Sequence, residues 1–596
     1  MSRTRTTTFL AAGTVLGLLI AALAVLAGQK SARPDDPFAA AVDLGPLDRA
    51  AVHSEGRFKS FDSFANEMVG YISGPRKIDG LPRDMQYLDM LFRPERYTHR
   101  DVIYFKNKPM RARLKEVLED RLAELAEDER FFEAGVPESA EERKEILRER
   151  LEAFEKTGLI AEAFLMDEAA QAQLALWQRD IIRTSKFANA VRSAMVLKSP
   201  EVLSGQLRIV PAPKGDETAG WLSMDDLYAG SAMSSDADAM DPVLRAELRG
   251  AWEKLAAAWR EGDAEAASAA VAELAERLPR VNPAVYPSQT RLQWESVYFK
   301  HSNLTWIWVI YLASVTLLLM AVAYRWEGAR WLGIGAFGVA FALHTIALGL
   351  RWYVSGRWPN SNMFEAVTTS VWLGTSLAIV IEVLARRTPM RNLFMLGGAV
   401  ASMAAMMSAR YIPQLDPNIR NMMPVLSDLW LYIHTNVIIT SYALIAMAAV
   451  TALLYLGVRA FGGPPDYARA GGTGMLLESG TGSDAPNRGM MRGGTAAQVL
   501  DGATMVLMEL SFVLLWAGIV MGAIWADHSW GRPWGWDPKE VFALNTFLVF
   551  LVLVHVRLKA RDKGLWTAVL AVIGCGVMLF NWIVINFVIS GLHSYA

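Results

Sequence analysis

The stretch LYIHTNVIITSYALIAMAAVTALLYLGV, residues 431–458, contains no Asp, Glu, Lys or Arg over 28 consecutive positions. A helix of about 20 apolar residues is long enough to cross the hydrocarbon core of a bilayer. Further apolar runs, several of them of similar length, lie near 304–323, 331–350, 364–385, 391–408, 504–525, 541–558 and 566–589. The sequence therefore predicts an all-α polytopic membrane protein with about eight transmembrane helices in its C-terminal half.

The N-terminal half has a different composition. Residues 1–29 contain two arginines followed by an apolar stretch, which is typical of a membrane anchor or a signal. The sequence GQKSA that follows is a poor cleavage site, which favours an uncleaved anchor. Residues 30–302 are rich in charged side chains, and their apolar residues recur at three- and four-residue spacing. This pattern predicts an exported, soluble and mainly helical domain.

Charge and cysteine content exclude several classes of function. The formal net charge is -2, and no basic stripe alternates with aromatic residues, so the sequence gives no indication of nucleic-acid binding. The chain has one cysteine, Cys575, inside an apolar run. Disulfides, CxxC redox chemistry and thiolate zinc sites within the chain are therefore excluded. Any thiol chemistry must use the thiols of a partner.

The charges of the short loops predict the topology. Three short basic loops alternate along the chain and are expected in the cytoplasm: 324–330, 385–391 and 556–564. The glycine-rich segment 461–496 is then also cytoplasmic, as a flexible linker. By alternation, the soluble domain, the C-terminus and three loops face outward: 351–363, 409–430 and 526–540.

The outward segment 525–540 is unusually rich in tryptophan. An aromatic belt at the membrane interface explains one or two such residues. It does not require the sequence WGRPWGW, in which glycine and proline shape a loop that presents Trp530, Trp534 and Trp536 together. Such a surface suits a large, flat, apolar ligand, and a porphyrin is the natural candidate.

The sequence DPKE at the end of this loop has a structural interpretation. Asp537 suits the N-cap of the next helix, Pro538 its first turn, and Glu540 the reciprocal capping position. Asn362 and Glu365 have the same spacing at the start of another span. These acidic residues therefore need no catalytic role.

Two histidines are expected on the outer face beside the tryptophan loop. His434 lies near the outer end of its span, and His593 follows the last span. Two imidazoles from opposite sides of the loop in sequence can ligate one haem iron. The alternative is that each is an ordinary polar residue at the interface.

Other histidines have weaker signals. His344 and His555 lie within spans, where ionisable groups are costly and often functional, and they could form a second, deeper haem site. Hydrogen bonding between helices is the alternative for this pair. His528 is a third possible ligand or a surface residue, whereas His53 and His99 are expected to be ordinary residues of the soluble domain.

At these residues the chain resembles a known family. WGRPWGWDPKE matches the tryptophan-rich (WWD) signature of the haem-handling proteins of cytochrome c maturation. Together with RWYVSGRWPNSNMFEA, HTNVIITSYALI and the terminal GLHSYA, it resembles the CcsA/ResC membrane subunit of the System II cytochrome c synthase over about residues 300–596. The resemblance implies a role in cytochrome c-type biogenesis and cytochrome complex assembly. It further implies binding of haem b and its thioether attachment to the CxxCH motif of apocytochrome c, as all or part of a haem lyase.

The resemblance also assigns residues. His434 and His593 match the external axial ligands of the haem iron, and His555 matches a membrane-embedded ligand, while His344 is a weaker match. Trp530, Trp534, Trp536 and Asp537 match the signature loop, which would position the porphyrin. The arginines of outward loops, Arg351, Arg410 and Arg532, are candidates for pairing haem propionates or ordinary interfacial residues.

Partners and location follow from the same resemblance. It implies a bacterial inner (cytoplasmic) membrane protein with its haem site on the periplasmic side. It also implies thiol-reducing proteins and a CcsB/ResB-like companion subunit as partners. The N-terminal half of this chain differs from that companion subunit, because it is predicted to be helical. Three alternatives stay open at this point: a haem transporter without a bond-forming step, a b-type electron-transfer protein and a structural assembly subunit. No span carries two histidines, which argues against the electron-transfer alternative.

Overall fold

The computed structural model of the chain describes residues 36–586 and 589, except 76, 133–136, 181–182, 216–218, 229–237, 413, 423–425, 470, 473 and 475–494. The predicted anchor 1–29 and His593 lie outside the described residues. Contacts divide the chain into two units, one of Lys30–Phe299 and the other including Lys300–Ala596.

The first unit is mainly helical. Its helices are α1 (Pro37–Ala41), α2 (Gly45–Asp48), α3 (Phe61–Ser73), α4 (Arg83–Phe92), α5 (Lys108–Glu119), α6 (Leu122–Leu125), α7 (Ala140–Thr157), α8 (Glu162–Leu165), α9 (Glu168–Arg179), α10 (Ser185–Leu197), α11 (Pro200–Gln206), α12 (Pro242–Glu261), α13 (Ala264–Val281) and α14 (Gln289–Lys300). Two small antiparallel sheets pair β1 (Ala51–Ser54) with β2 (Arg57–Ser60) and β3 (Ile103–Tyr104) with β4 (Leu159–Ile160).

Asp263 shows how the sequence sets these helices. Its carboxylate accepts from the backbone N–H groups of Glu265 and Ala266, as expected of the N-cap of α13. The apolar face of α13 then packs against α12 and buries Trp259, whose indole N–H donates to Asp89 at 3.0 Å. The buried face at helical spacing is the pattern from which this domain was predicted.

The second unit confirms the predicted membrane architecture. Among the described residues, eight helices are long and apolar enough to cross a membrane. They are α15 (Trp308–Tyr324, continuing a short 3-10 turn at Ser302–Ile307), α16 (Glu327–Ser355), α17 (Met363–Ala385), α18 (Leu393–Tyr411), α19 (Leu429–Ala460), α20 (Ala496–Trp530), α21 (Pro538–Lys559) and α22 (Lys563–Phe580), with a π-helical turn at Asn581–Ile585.

The helix ends differ from the predicted ones at the tryptophan segment. Helix α20 continues to Trp530 and ends at Gly531, which has a φ of 69° and donates its N–H to the carbonyl of Asp527 at 2.8 Å. Residues 525–530 are therefore helical, and the connecting loop is limited to 531–537. As a result, Trp525 belongs to the wall of the helix bundle.

Small and hydroxyl-bearing residues bring the membrane helices together. Ser370 on α17 donates to the carbonyl of Ile439 on α19 at 2.7 Å, and Thr451 on α19 lies 2.8 Å from Thr504 on α20. Such contacts are typical of membrane bundles, in which small side chains allow close approach and hydroxyls bond between helices. Helix α19 consequently packs between α17, α20 and α22.

Part of the predicted flexible linker 461–496 is held against the bundle. Asp501 and Arg557 form a buried ion pair at 2.7 Å. Asp501 accepts a hydrogen bond from the backbone N–H of Ala468, and Arg557 donates one to the backbone carbonyl of Ala468. The Tyr455 hydroxyl donates to the carbonyl of Asp466 at 3.1 Å. Most of the remaining segment, 475–494, lies outside the described residues.

Candidate functional site

A cavity of about 240 Å³ lies among α19, α20, α21, the π-helical turn and the start of α17 with the loop before it. Its walls are mainly apolar and aromatic, with a few polar groups. The lining residues most relevant to binding are His434, Trp525, Trp534, Lys539, Trp582 and Asn586. An apolar cavity with a small number of convergent polar groups is the usual form of a small-molecule site.

His434 enters this cavity from the second turn of α19. Its Nδ1 atom lies 2.7 Å from the carbonyl oxygen of Gly518 on α20. Because a carbonyl oxygen only accepts, Nδ1 must carry the proton of this hydrogen bond. In the neutral ring, Nε2 is then the atom that holds a lone pair for a metal.

The tryptophans of the signature take three different positions. Trp534 lines the cavity. Trp530 packs edge-on against Trp525 at 4.8 Å between ring centroids, and Trp525 itself lines the cavity. Trp536 is 75% exposed with a φ of 56°, and it meets Trp534 edge-on at 6.1 Å. The tryptophans that line the cavity are therefore Trp534, Trp525 and Trp582, and only the first of these was among the predicted platform residues.

The capping box predicted from DPKE is confirmed. Asp537 accepts from the backbone N–H of Lys539 at 3.1 Å, and Glu540 accepts from the backbone N–H of Asp537 at 3.1 Å. Glu540 also accepts from the N–H of Gly535 at 2.9 Å. These bonds fix the end of the tryptophan loop on the first turn of α21, so Asp537 shapes the site through the backbone.

Of the two hydrogen bonds of a capping box, only the one accepted by the N-cap side chain is present at Asn362. Asn362 accepts from the N–H of Glu365 at 2.9 Å. The carboxylate of Glu365 instead accepts from the N–H of Ser361 at 2.8 Å and pairs with Arg351 and Arg357. Glu365 is therefore the centre of a buried ionic cluster, and the reciprocal half of the capping box is absent there.

His344 and His555, predicted as a possible pair, lie in different environments. The Nε2 of His344 donates to the carbonyl of Thr368 at 3.2 Å, and its Nδ1 lies 3.3 Å from the hydroxyl of Tyr311. Both ring nitrogens of this buried histidine therefore join helices, which was the stated alternative. His555 is exposed on α21, and its Nδ1 donates to the carbonyl of Leu551 at 2.8 Å.

His528 and the candidate arginines lie away from the cavity lining. His528 is exposed on the last turn of α20, 3.7 Å from Asp428, the N-cap of α19. Arg351 is buried and donates to Glu365 and to the carbonyl of Pro417 at 2.8 Å. Arg410 and Arg532 are exposed. Lys539 is the basic residue that lines the cavity, and it was missed because it lies inside the DPKE cap.

Gly518 and Gly522 were also missed. They face α19 one helical turn apart, and a side chain at Gly522 would collide with the ring of His434. The signal was present in the sequence GIVMG, a small-xxx-small pattern within an apolar span.

Comparison with known proteins identifies relatives of the membrane unit. The family model described as Cytochrome C assembly protein matches residues 360–593. The chain is 30% identical over 333 residues to "Cytochrome c biogenesis protein CcsA" of Rippkaea orientalis, covering 48% of this chain and 95% of that protein. It is 31% identical over 326 residues to the protein of the same name from Crocosphaera subtropica, covering 48% and 95%. For the one from Guillardia theta the identity is 30% over 296 residues, covering 47% and 93%.

Proposed function

The chain belongs to the CcsA family of cytochrome c biogenesis proteins, and we propose that it binds haem b as a substrate through His434 and presents it for attachment to an apocytochrome c. The observation that supports this most directly is the hydrogen bond from His434 Nδ1 to Gly518, which makes Nε2 the nitrogen with the lone pair in the neutral ring of a residue that lines an aromatic cavity. A neutral imidazole whose other nitrogen donates to a carbonyl is the usual form of a metal-ligating histidine.

The residues around the cavity fit a haem. Trp525, Trp534 and Trp582 offer apolar surfaces to a porphyrin, and Lys539 offers a positive charge to a propionate. Trp530 and Trp536 support this wall through their contacts with Trp525 and Trp534. The second axial ligand in this proposal is His593, which lies outside the described residues and is assigned by the family resemblance alone.

The reaction is the addition of two thiols to two vinyl groups. Each thiol sulfur bonds to the vinyl carbon next to the ring, and the thiol hydrogen goes to the terminal carbon, so no oxidant or reductant is consumed. Both thiols come from the CxxCH motif, because the chain's one cysteine, Cys575, lies within α22. The protein's contribution is to hold vinyl groups and thiols at reacting distance in one orientation.

His434 and His593 hold the iron until the histidine of CxxCH displaces one of them. Asp537 keeps the tryptophan loop in place through its cap, which restricts how the porphyrin can enter. Haem attachment requires reduced thiols, so thiol-reducing proteins are proposed partners. His555, exposed on α21 with its Nδ1 bonded to its own helix, is proposed as a ligand of a second haem, whose other ligand comes from a companion CcsB/ResB-like subunit. His344 is proposed to act in packing.

The protein is a multi-pass membrane protein, and we place it in the bacterial cytoplasmic membrane. The short basic loops 324–330, 385–391 and 556–564 are assigned to the cytoplasm. This orientation puts the cavity and the soluble unit on the periplasmic side, where apocytochrome c is available.

Reconstitution in a host that lacks its own maturation system tests the proposal. The chain is expressed with a CxxCH apocytochrome, and covalent haem is detected on a denaturing gel. We expect covalent haem with the unaltered chain and a loss in both His434→Ala and His593→Ala. The matched control is His99→Ala, in the soluble unit, which should behave like the unaltered chain.

Other outcomes are distinguishable. If the chain purifies with haem but attaches none, it is a carrier or one part of a two-part synthase, and co-expression of a companion subunit decides between them. Absence of bound haem in a chain that is intact in the membrane would contradict the proposal.

A further inference from the structure

We propose that Gly518 and Gly522 are positioning residues for haem: together they seat the His434 ring against α20, where the Gly518 carbonyl holds it in the tautomer that ligates iron. This inference rests on the proposed function, because it concerns how the ligand of that site is prepared. It assigns a role to the backbone of α20, which contributes no ligand of its own.

The close approach of two helices makes this contact possible. A Cβ atom at Gly522 would lie 2.6 Å from Cε1 and 2.9 Å from Nδ1 of His434. A Cβ atom at Gly518 would lie 2.5 Å from Cδ1 of Ile438, one turn further along α19. A side chain at Gly522 would therefore push the imidazole out of its place, whereas one at Gly518 would displace the side chain of Ile438.

The carbonyl of Gly518 has a second lone pair available for the ring. In a helix, one lone pair of a carbonyl oxygen accepts the N–H four residues later. The oxygen has two lone pairs, so it also accepts the Nδ1–H of His434 at 2.7 Å. Because Gly522 lacks a side chain, the ring can approach α20 closely and reach this oxygen.

The hydrogen bond has three consequences for a ligand. It fixes the proton on Nδ1, it fixes the rotation of the ring, and it increases the basicity of Nε2. Without this hydrogen bond, neither the tautomer nor the rotation of the ring would be fixed before the ring ligates iron. Both glycines could instead serve helix packing alone, so the test must separate crowding of helices from loss of the bond.

Chemical complementation isolates the hydrogen bond. In His434→Gly, added imidazole can occupy the vacated space and ligate the haem, and its second nitrogen can donate to Gly518. 1-Methylimidazole ligates iron but has no N–H to donate, whereas 4-methylimidazole has the same added methyl group and keeps its N–H. Haem ligation is followed by the visible spectrum of the purified full-length protein.

A neutral hydrogen bond contributes about 0.5–1.5 kcal/mol, which corresponds to roughly a twofold to thirteenfold difference in affinity. We therefore expect imidazole and 4-methylimidazole to restore the low-spin spectrum at concentrations about twofold to thirteenfold lower than 1-methylimidazole. Equal half-saturating concentrations for the three compounds would overturn the inference. If none of them restores ligation, the glycine variants decide.

Glycine variants provide the second readout. Gly522→Ala should shift bound haem from the six-coordinate low-spin to the five-coordinate high-spin form. Gly574→Ala is the control for crowding, because its Cβ would lie 2.8 Å from Phe550 on a neighbouring helix. Gly576→Ala is the control without crowding, because nothing lies within 4 Å of its Cβ.

The two controls should retain the unaltered spectrum. If Gly574→Ala changes the spectrum as much as Gly522→Ala does, or if Gly522→Ala leaves it unchanged, the inference is wrong. These results differ from those expected if the proposed function itself is wrong. In that case the unaltered chain binds no haem, or His434→Ala has the same haem spectrum as the unaltered chain.

Discussion

The guanidinium of Arg351 lies 2.9 Å from the carboxylate of Glu365, and the two side chains are 1% and 0% exposed. Arg357 pairs with the other oxygen of Glu365 at 2.8 Å. This cluster joins α16 to the start of α17 and fixes the loop before it, including Asn360 and Asn362, which line the cavity. The cluster therefore stabilises one wall of the proposed haem site.

Removal of the Glu365 charge should destabilise the protein strongly. Glu365→Gln leaves two buried guanidinium groups without a counter-charge, and losing one partner of a buried ion pair costs about 3–5 kcal/mol. Thermal unfolding in detergent measures the effect. Glu327→Gln is the matched control, because Glu327 is exposed and pairs with Arg330 and Arg391 at the surface, where about 0–1 kcal/mol is expected. Equal destabilisation by the two variants would contradict this interpretation of Glu365.

Gly374 should be intolerant of a side chain. A Cβ atom there would overlap the side chain of Ala443 where α17 crosses α19. Gly374→Ala is expected to destabilise by about 1–3 kcal/mol, the usual cost of overpacking. Gly338→Ala, on α16 with nothing within 4 Å, should be neutral or stabilising by up to about 1 kcal/mol because alanine favours helix. The melting temperature should fall for Gly374→Ala and stay the same or rise for Gly338→Ala, and an equal fall in both variants would refute the close contact.

Asp501 and Arg557 should be energetically coupled. Their side chains are 1% and 12% exposed and 2.7 Å apart, so each substitution leaves a buried charge behind. Asp501→Asn and Arg557→Gln should each cost about 3–5 kcal/mol, whereas the double variant should cost less than their sum. The more exposed pair Arg459–Asp562 is the control, with about 0.2–1 kcal/mol expected. Additive effects at Asp501 and Arg557 would exclude coupling.

The first unit, Lys30–Phe299, should lose stability in mild acid through His53. Burial, with a smaller contribution from the charge of Arg208, lowers the pKa of His53 below its usual 6.5. As the pH falls through 6.5 towards the folded-state pKa, the unfolded chain binds a proton that the folded chain does not, so stability decreases. His53→Asn should therefore show a smaller drop in melting temperature between pH 7.5 and 5.5 than the unaltered chain. An unchanged drop would show that other groups dominate.

Features that depend on neighbouring residues could be predicted from the sequence. The eight long apolar helices among the described residues follow from apolar length, and the cap at Asp537 and Glu540 follows from a spacing of three residues. The tryptophan wall could be predicted only in part, because α20 extends to Trp530 and so turns Trp525 into the cavity. The helix end at Gly531 is a local feature of the sequence, but whether Trp525 faces the cavity depends on how α20 packs against its neighbours.

The environments of the two deeper histidines, His344 and His555, could not be predicted from the sequence. Two histidines within spans suggested a shared site, yet the side that each presents depends on how its helix is rotated in the bundle. His344 faces Tyr311 and the carbonyl of Thr368, whereas His555 is exposed. The GIVMG pattern indicates close helix packing at Gly518, but the hydrogen bond from His434 could not be predicted, because the accepting atom is a backbone oxygen that no side-chain motif indicates.

The central claim is that His434 ligates haem, and the visible spectrum of purified protein tests it most directly. The unaltered full-length chain and His434→Ala are purified from membranes supplied with haem, and haem per protein and spin state are compared. We expect low-spin, histidine-ligated haem in the unaltered chain. In the variant we expect less haem per protein, in the high-spin form, with the low-spin form restored by added imidazole. The same haem content and the same low-spin spectrum in both proteins would contradict the claim.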